Sequence, residues 1–134
     1  MAWAPDYLTT AQLRSYLRID DNADDLFLAS WISAVSRNVD DHCGRQFGSV
    51  TTEARTYDGV WDRHLCTYVF EIDDVFDVAT LTVVDDDAVA VAAADYELWP
   101  RNAPQKGRPY TQLRTAEAGT VATLDAPWGW SAVP

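Results

Sequence analysis

The segment VDDHCGRQFG gathers residue types that catalyse reactions and bind metal ions. Asp40 and Asp41 offer carboxylates, His42 an imidazole and Cys43 a thiol. Consecutive residues on a helix point about 100° apart, so four adjacent side chains cannot converge on one ion or one substrate. The spacing therefore favours a structural helix end over an active site.

Two chemical alternatives stay open at this segment. A metal-dependent hydrolase or nuclease would use Asp40, His42 and His64, brought together by tertiary folding. A nucleophilic Cys43 would need a base beside it, but His42 points away from it along the helix. We therefore predict no catalytic residue, no metal ligand and no cofactor, and we expect Cys43 to be a buried small hydrophobe.

Composition narrows the classes of partner. The net charge of −11 argues against a surface that grips DNA, because such a surface needs clustered Lys and Arg. A negative wall would instead let a duplex pass without sticking. No apolar run approaches the ~20 residues that span a bilayer, so we expect no membrane association. Cys43 and Cys66 indicate a reduced compartment, although a single disulfide between them stays open.

Two helices are predicted to position the opening segment. Thr9 and Gln12 have the spacing of a capping box, which predicts a short helix that ends near Arg18. A long helix should follow from about Asp24 to Cys43, and Gly44 stands where a left-handed residue ends a helix. Its predicted apolar stripe is Leu28, Trp31, Ile32, Val35, Val39 and Cys43.

The rest of the chain alternates short β-rich runs with turn residues. Asp58-Gly59 and Asp85–Asp87 are predicted turns, and Arg101–Pro109 is a predicted exposed loop. The predicted strands are Thr52–Tyr57, Leu65–Glu71, Ala79–Val84, Ala88–Ala92, Tyr96–Trp99, Tyr110–Arg114 and Thr120–Leu124. We expect an α+β fold in one domain spanning 1–134, with a helical hairpin over 1–48 and a small, mainly antiparallel sheet over 49–134.

Two stretches of the chain resemble a known family. The segment YLTTAQLRSYLRIDDNADDLFLASWISAVSRNVDDHCGRQF has a capped short helix, an L-R-I-D end at 17–20, an acidic linker, and a long helix that ends in Cys-Gly-Arg followed by Phe47. The terminal WGWSAVP carries the family's Gly-Trp and nearby proline. This pattern is similar to phage head–tail connector proteins, also called head completion or adaptor proteins, over the first third and the last ten residues.

The resemblance implies a structural role in the virion. Members form a ring, commonly a dodecamer, beneath the portal protein, where they extend the DNA channel and meet the next neck or tail protein. DNA passes through without specific binding, and no catalysis is involved. The protein would assemble in the host cytoplasm and reside at the head–tail interface. A tail terminator, or a minor tail adaptor, is an alternative within the same class of assembly proteins.

The resemblance also assigns candidate surfaces. Members usually continue past the proline into an apolar helix, whereas this sequence stops there, so either the helix is absent or it lies outside this sequence. We expect Trp128, Trp130 and Val133 to dock on the portal. The apolar stripe of the long helix should be core or ring-packing surface. At the helix end, Asp40 and Asp41 lie unfavourably near the negative end of the dipole, so we expect Arg45, or an arginine of a neighbouring subunit, to pair with them.

Overall fold

A capping box starts the first helix, as predicted. In the computed structural model, which describes residues 6–48 and 50–130, α1 spans Thr10–Leu17. The Gln12 amide N–H donates to the Thr9 hydroxyl over 3.2 Å, and the Thr9 N–H donates to the Gln12 side chain over 2.8 Å. Arg18, in the left-handed region with φ 57°, ends the helix. Local sequence therefore determines both ends of α1.

The second helix is long but buries few residues. α2 spans Asp25–Cys43, and Gly44 ends it with φ 63°, as predicted. Its buried residues are Ile32, Ser36 and Asp40, which follow one another at i+4. The predicted apolar stripe is therefore not the side of α2 that is buried in this chain, and its expected alternative role as ring-packing surface stays a prediction. Within it Ile32 is buried and Leu28 half-buried, whereas the remainder is exposed: Trp31, Val35, Val39 and Cys43.

Six strands form one antiparallel sheet after the helices, which confirms the α+β prediction. The strand order is β3-β6-β1-β2-β5-β4. Their bounds are β1 Glu53–Asp62, β2 Thr67–Val75, β3 Thr82–Val84, β4 Tyr96–Trp99, β5 Tyr110–Thr115 and β6 Val121–Ala126. The predicted strand at Ala88–Ala92 is reduced to a single bridge between Ala90 and Val84. A short 3₁₀ helix, Pro104–Lys106, lies in the loop after β4.

The predicted turn at Asp58-Gly59 is wrong, because both residues lie inside β1. Asp58 pairs with Val121 of β6, and Gly59 pairs with Phe70 of β2. A Cβ atom at Gly59 would lie 2.5 Å from the Phe70 ring. The glycine is thus required for close approach of a cross-strand aromatic ring.

The hydrophobic core belongs to the sheet. Val75, at the end of β2, pairs with Trp128 and Gly129 beyond β6, although β1 lies between β2 and β6 in the strand order. The sheet therefore curls on itself and encloses the inward side chains of its own strands. The largest fully buried side chains are Trp128, Phe70, Leu113, Leu124, Val75 and Val83. No residue of α1 or α2 belongs to this core.

Candidate functional site

Tyr7 organises the end of α2 through polar contacts. Its backbone N–H donates to the Ser36 hydroxyl over 3.1 Å, and its own hydroxyl donates to the Asp40 carboxylate. The same hydroxyl accepts the Phe47 N–H over 2.8 Å. Burial and the hydrogen bond to Asp40 raise the pKa of Tyr7 to about 12. One phenol thus joins the N-terminal segment, α2 and the segment that leaves it.

Asp40 is paired, but not with the predicted partner. Its carboxylate lies 2.9 Å from the Arg37 guanidinium, one helical turn earlier, and its side chain is almost fully buried. The i, i+3 ion pair and the Tyr7 hydroxyl offset the unfavourable end of the helix dipole. The expected pair of Arg45 with Asp40 or Asp41 is not formed, since Arg45 faces Asp74 of the sheet, and an arginine of a neighbouring subunit stays a prediction as the partner of Asp41. Asp41 is exposed.

Arg45 connects the helix end to β2. Its Nε atom lies 3.7 Å from the Asp74 carboxylate, and its guanidinium stands 6.0 Å from the centre of the Trp130 ring. The Trp130 indole N–H donates to Asp74 over 2.8 Å, and the Phe47 ring centre lies 5.4 Å from that of Trp130. This cluster holds the helical pair to the sheet through ion pairs and ring contacts, with little buried apolar surface from the helices themselves.

The two tryptophans after β6 occupy different environments, Trp128 in the core and Trp130 between the helical pair and the sheet. Trp128 is fully buried, its indole N–H donates 2.7 Å to the Glu53 carbonyl, and the Arg55 guanidinium lies 4.8 Å from its ring centre. Trp128 is therefore a core residue of this chain, and its side chain has no exposed surface for the portal docking expected of it. Trp130 is half-buried in the cluster with Arg45, Asp74 and Phe47, and Val133 lies outside the described residues.

An uncovered apolar stripe follows the solvent side of α2. Phe27 is 70% exposed, Trp31 68%, Val35 54% and Val39 38%, at successive i+4 positions. We call these four residues the outer face of α2. No Asp or Glu occurs between Leu26 and Val39, in a chain whose net charge is −11. Three of the four belonged to the predicted stripe, but Phe27 was missed because the stripe was assigned a different phase.

Other large apolar side chains of the helical pair are also exposed. Leu26 is 87% exposed and Tyr16 of α1 is 84% exposed. Isolated exposed hydrophobic residues are ordinary in monomers, but a contiguous patch of this kind is uncommon outside interaction surfaces. The surface of the helical pair is therefore the strongest candidate for a binding site.

The residues that suggested catalysis are dispersed. Across 6–48 and 50–130, no three His, Cys, Asp or Glu side chains are placed to hold a metal ion, so Asp40, His42 and His64 do not form a ligand set. Cys43 is exposed, so its prediction as a buried hydrophobe is wrong. Cys66 is exposed as well, and both thiols are free. No described helix is long and apolar enough to cross a membrane.

His64, the second histidine, lies in the turn between β1 and β2. The Asp62 carboxylate accepts the backbone N–H groups of Leu65 and His64, over 3.1 Å and 2.8 Å. These two hydrogen bonds hold the pKa of Asp62 below its usual value. Asp62 and His64 thus shape a turn between β1 and β2.

A cavity of about 490 Å³ lies between the end of α2 and β2. Three arginines line it, and each has an acidic partner: Arg37 pairs with Asp40, Arg45 with Asp74, and Arg55 with Asp73 at 2.7 Å. Only the Arg45–Asp74 pair connects the segment after α2 to the sheet, whereas the other two pairs lie within α2 and between β1 and β2. All three arginines are therefore engaged in structural contacts within the chain.

Comparison with known proteins finds no relative: no family model, no curated protein and no solved structure matches the chain.

Proposed function

We propose that this protein is a structural component of a tailed-phage particle. It forms a homo-oligomeric ring beneath the portal, joins the DNA-filled head to the tail and extends the DNA channel. One end of the ring meets the portal protein and the other meets the next neck or tail protein. The role requires positioning of chains and no catalytic step. The resemblance to head–tail connectors gives the specific form of this proposal.

The outer face of α2 is the observation that carries the proposal. Phe27 and Trp31 are aromatic residues of the kind enriched in protein interfaces, and both are more than two-thirds exposed. Interface cores are also depleted in charge, and this stretch of α2 contains no acid. Leu26 and Tyr16 add further exposed apolar side chains to the helical pair. A second copy of the chain would cover it in the ring.

The charge distribution supports a conduit. A chain of net charge −11 repels phosphate, so DNA can pass along the inside of the ring without specific binding. Repetition of one chain around a ring multiplies this charge along the channel. Tight gripping would require neutralisation of several phosphates by clustered cations.

The fold supports a component that buries its exposed apolar side chains only when it assembles. The sheet encloses its own core, whereas the helical pair leaves its largest apolar side chains in solvent. Ring formation would bury them, and the free energy of association would then add to the stability of the helices.

Immunogold electron microscopy of tailed particles from the producing strain tests the proposal. We expect labelling at the head–tail junction, and a cryo-EM map of the neck should contain a ring of this fold against the portal. Labelling further down the tail would instead select a terminator or a tail adaptor. Absence of the protein from particles, with no ring when it is mixed with its portal, would overturn the proposal.

A further inference from the structure

Positive charge is concentrated in one part of this acidic chain. Residues 98–116 contain no Asp or Glu but carry Arg101, Lys106, Arg108 and Arg114, which are four of the ten basic residues. The stretch runs from the end of β4, an edge strand of the sheet, through the following loop and along β5. Arg101, Lys106 and Arg108 lie in the loop, so positive charge is concentrated beside this edge of an otherwise acidic chain.

The loop after β4 is folded rather than loose. The Arg108 N–H donates to the Ala103 carbonyl over 2.9 Å, and Ala103 is 1% exposed. A cleft of about 290 Å³ opens there, lined by Trp99, Pro100, Arg101, Asn102, Ala103, Lys106 and Arg108. Its lining contains no acidic side chain. We call it the basic cleft.

The cations of the basic cleft differ in their contacts. Arg101 lies 2.6 Å from Glu97 and 5.0 Å from the centre of the Trp99 ring. Lys106 and Arg108 are exposed, and within the described part of the chain neither lies within ion-pairing distance of a carboxylate. Two cations without a carboxylate partner, on a folded loop beside the Trp99 ring, can receive an acidic segment that also carries an apolar side chain.

The other edge strand carries a turn with complementary properties. After β3, the Asp85 carboxylate accepts the N–H groups of Asp87 and Val89 over 3.0 Å and 2.8 Å, which fixes the turn. Asp86 and Asp87 are exposed, and Val89 is 59% exposed. We call Asp86–Val89 the acidic turn. It presents two carboxylates and one apolar side chain on a fixed backbone.

We propose that the basic cleft of one copy binds the acidic turn of a second copy, head to tail. Asp86 and Asp87 would face Lys106 and Arg108, and Val89 would enter the cleft beside Trp99. Contact between two different edges is heterologous, and repetition of a heterologous contact generates a closed ring when the rotation closes. Two identical edges could not meet in this way, since like charges would oppose each other. The inference rests on the proposed ring and specifies which edges meet within it.

Charge reversal at one edge tests the contact. We compare two double variants: Lys106→Glu/Arg108→Glu in the basic cleft, and Asp86→Lys/Asp87→Lys in the acidic turn. Each should weaken self-association by about tenfold or more, because each places like charges together. A chain that carries all four changes should recover ring formation. A mixture of the two double variants should also form rings, in which the variants alternate. Mass photometry and negative-stain microscopy give the readout, and circular dichroism checks that each variant is folded.

A matched control separates the contact from net charge. Asp20→Lys/Asp21→Lys changes the charge by the same amount as the acidic-turn variant, but in the linker between the helices, and should leave association unchanged. If association occurs only on particles, incorporation of the same variants into particles replaces the solution measurement.

Four outcomes would overturn the inference while the proposed ring stands. Rings formed normally by either double variant would place the contact elsewhere. Failure of the four-change chain to recover, or an equal loss with the linker variant, would also reject it. Binding of a short DNA duplex that Lys106→Glu/Arg108→Glu abolishes while rings persist would assign the cleft to nucleic acid. Wild-type protein that is absent from particles and forms no ring would instead reject the proposed function.

Discussion

The sheet and the helical pair bury apolar side chains in opposite ways. The sheet curls around Phe70, Leu113 and Leu124, and Trp128 closes the core from beyond β6. The helical pair places a serine and a carboxylate on the buried side of α2 and leaves Trp31 largely in solvent. Two tryptophans of one chain thus occupy opposite environments, one fully buried and one 68% exposed.

The difference shows what each region needs. Burial of apolar surface contributes roughly 25 cal/mol per Å², so a sheet with a closed core can stabilise itself. The hydrogen bonds of Tyr7 and the Arg37–Asp40 ion pair hold the helical pair together, and the Arg45–Asp74 ion pair connects it to the sheet. Such polar contacts contribute less per contact than a closed apolar core. We infer that the sheet is the scaffold and that the helical pair is the surface to be covered.

The largest expected effect is at the core tryptophan. Trp128→Ala should lower the free energy of unfolding by about 3–5 kcal/mol, because it leaves a large cavity in the sheet. Trp128→Phe, which keeps a ring but loses the hydrogen bond to Glu53, should cost less. Urea denaturation followed by circular dichroism measures both. A loss below about 0.5 kcal/mol for Trp128→Ala, the range of ordinary surface substitutions, would contradict a self-sufficient core.

A smaller loss of stability is expected at the end of α2, where substitution of two arginines, Arg37 and Arg45, can be compared. Arg37→Ala should cost about 1–3 kcal/mol, because it leaves the buried Asp40 carboxylate without its cation. Arg45→Ala should cost about 0.2–1 kcal/mol, since Arg45 is 45% exposed and Asp74 keeps the Trp130 N–H. Thermal denaturation of the two variants gives the order. The reverse order would mean that the half-exposed Arg45–Asp74 contact contributes more than the buried Arg37–Asp40 pair.

The contacts of Tyr7 at the end of α2 should also weaken at high pH. Folding raises the pKa of Tyr7 from 10.0 to about 12, so the unfolded chain loses this proton first as pH rises. The contribution of Tyr7 is therefore fully present below pH 10 and is lost between pH 10 and about 12. Tyr7→Phe should flatten the fall in unfolding free energy over this interval, measured by urea denaturation at successive pH values. The exposed control Tyr16→Phe should keep the wild-type profile; equal flattening in both variants would reject this account.

The smallest effect on the monomer is expected at the outer face. Trp31→Ala should change the free energy of unfolding by no more than about 0.5 kcal/mol, because the indole is 68% exposed and alanine favours helix. The same substitution should sharply reduce the assembled fraction seen by mass photometry. Wild-type assembly by a folded Trp31→Ala variant would remove the outer face from the ring interface.

Local signals in the sequence predicted several elements closely. The Thr9 capping box and Gly44 fixed helix ends, because the residues that form these contacts are three or four positions apart. The strand at Tyr96–Trp99 has its predicted bounds. The predicted turn at Asp85–Asp87 is present because Asp85 bonds to its own following backbone.

Contacts between distant residues explain the errors. The phase of α2 is determined by Tyr7, which lies 29 residues before Ser36 and 33 before Asp40. The helical pattern alone cannot reveal that a tyrosine so far away selects a polar side of the helix. The Asp-Gly pair at Gly59 likewise predicts a turn from local sequence. The glycine is instead explained by the ring of its cross-strand neighbour Phe70, which lies 11 residues away. Burial of a tryptophan in the tail depends on curling of the whole sheet, which no local pattern encodes.

Hydroxyl-radical footprinting of purified protein and of intact particles tests the central claim most directly. Oxidation of each tryptophan, measured by mass spectrometry, reports the exposure of its side chain. We expect Trp128 to resist oxidation in both samples, and Trp31 to be oxidised in the free protein and protected in particles. Equal oxidation of Trp31 in the two samples would show that the outer face stays uncovered, and it would contradict the account.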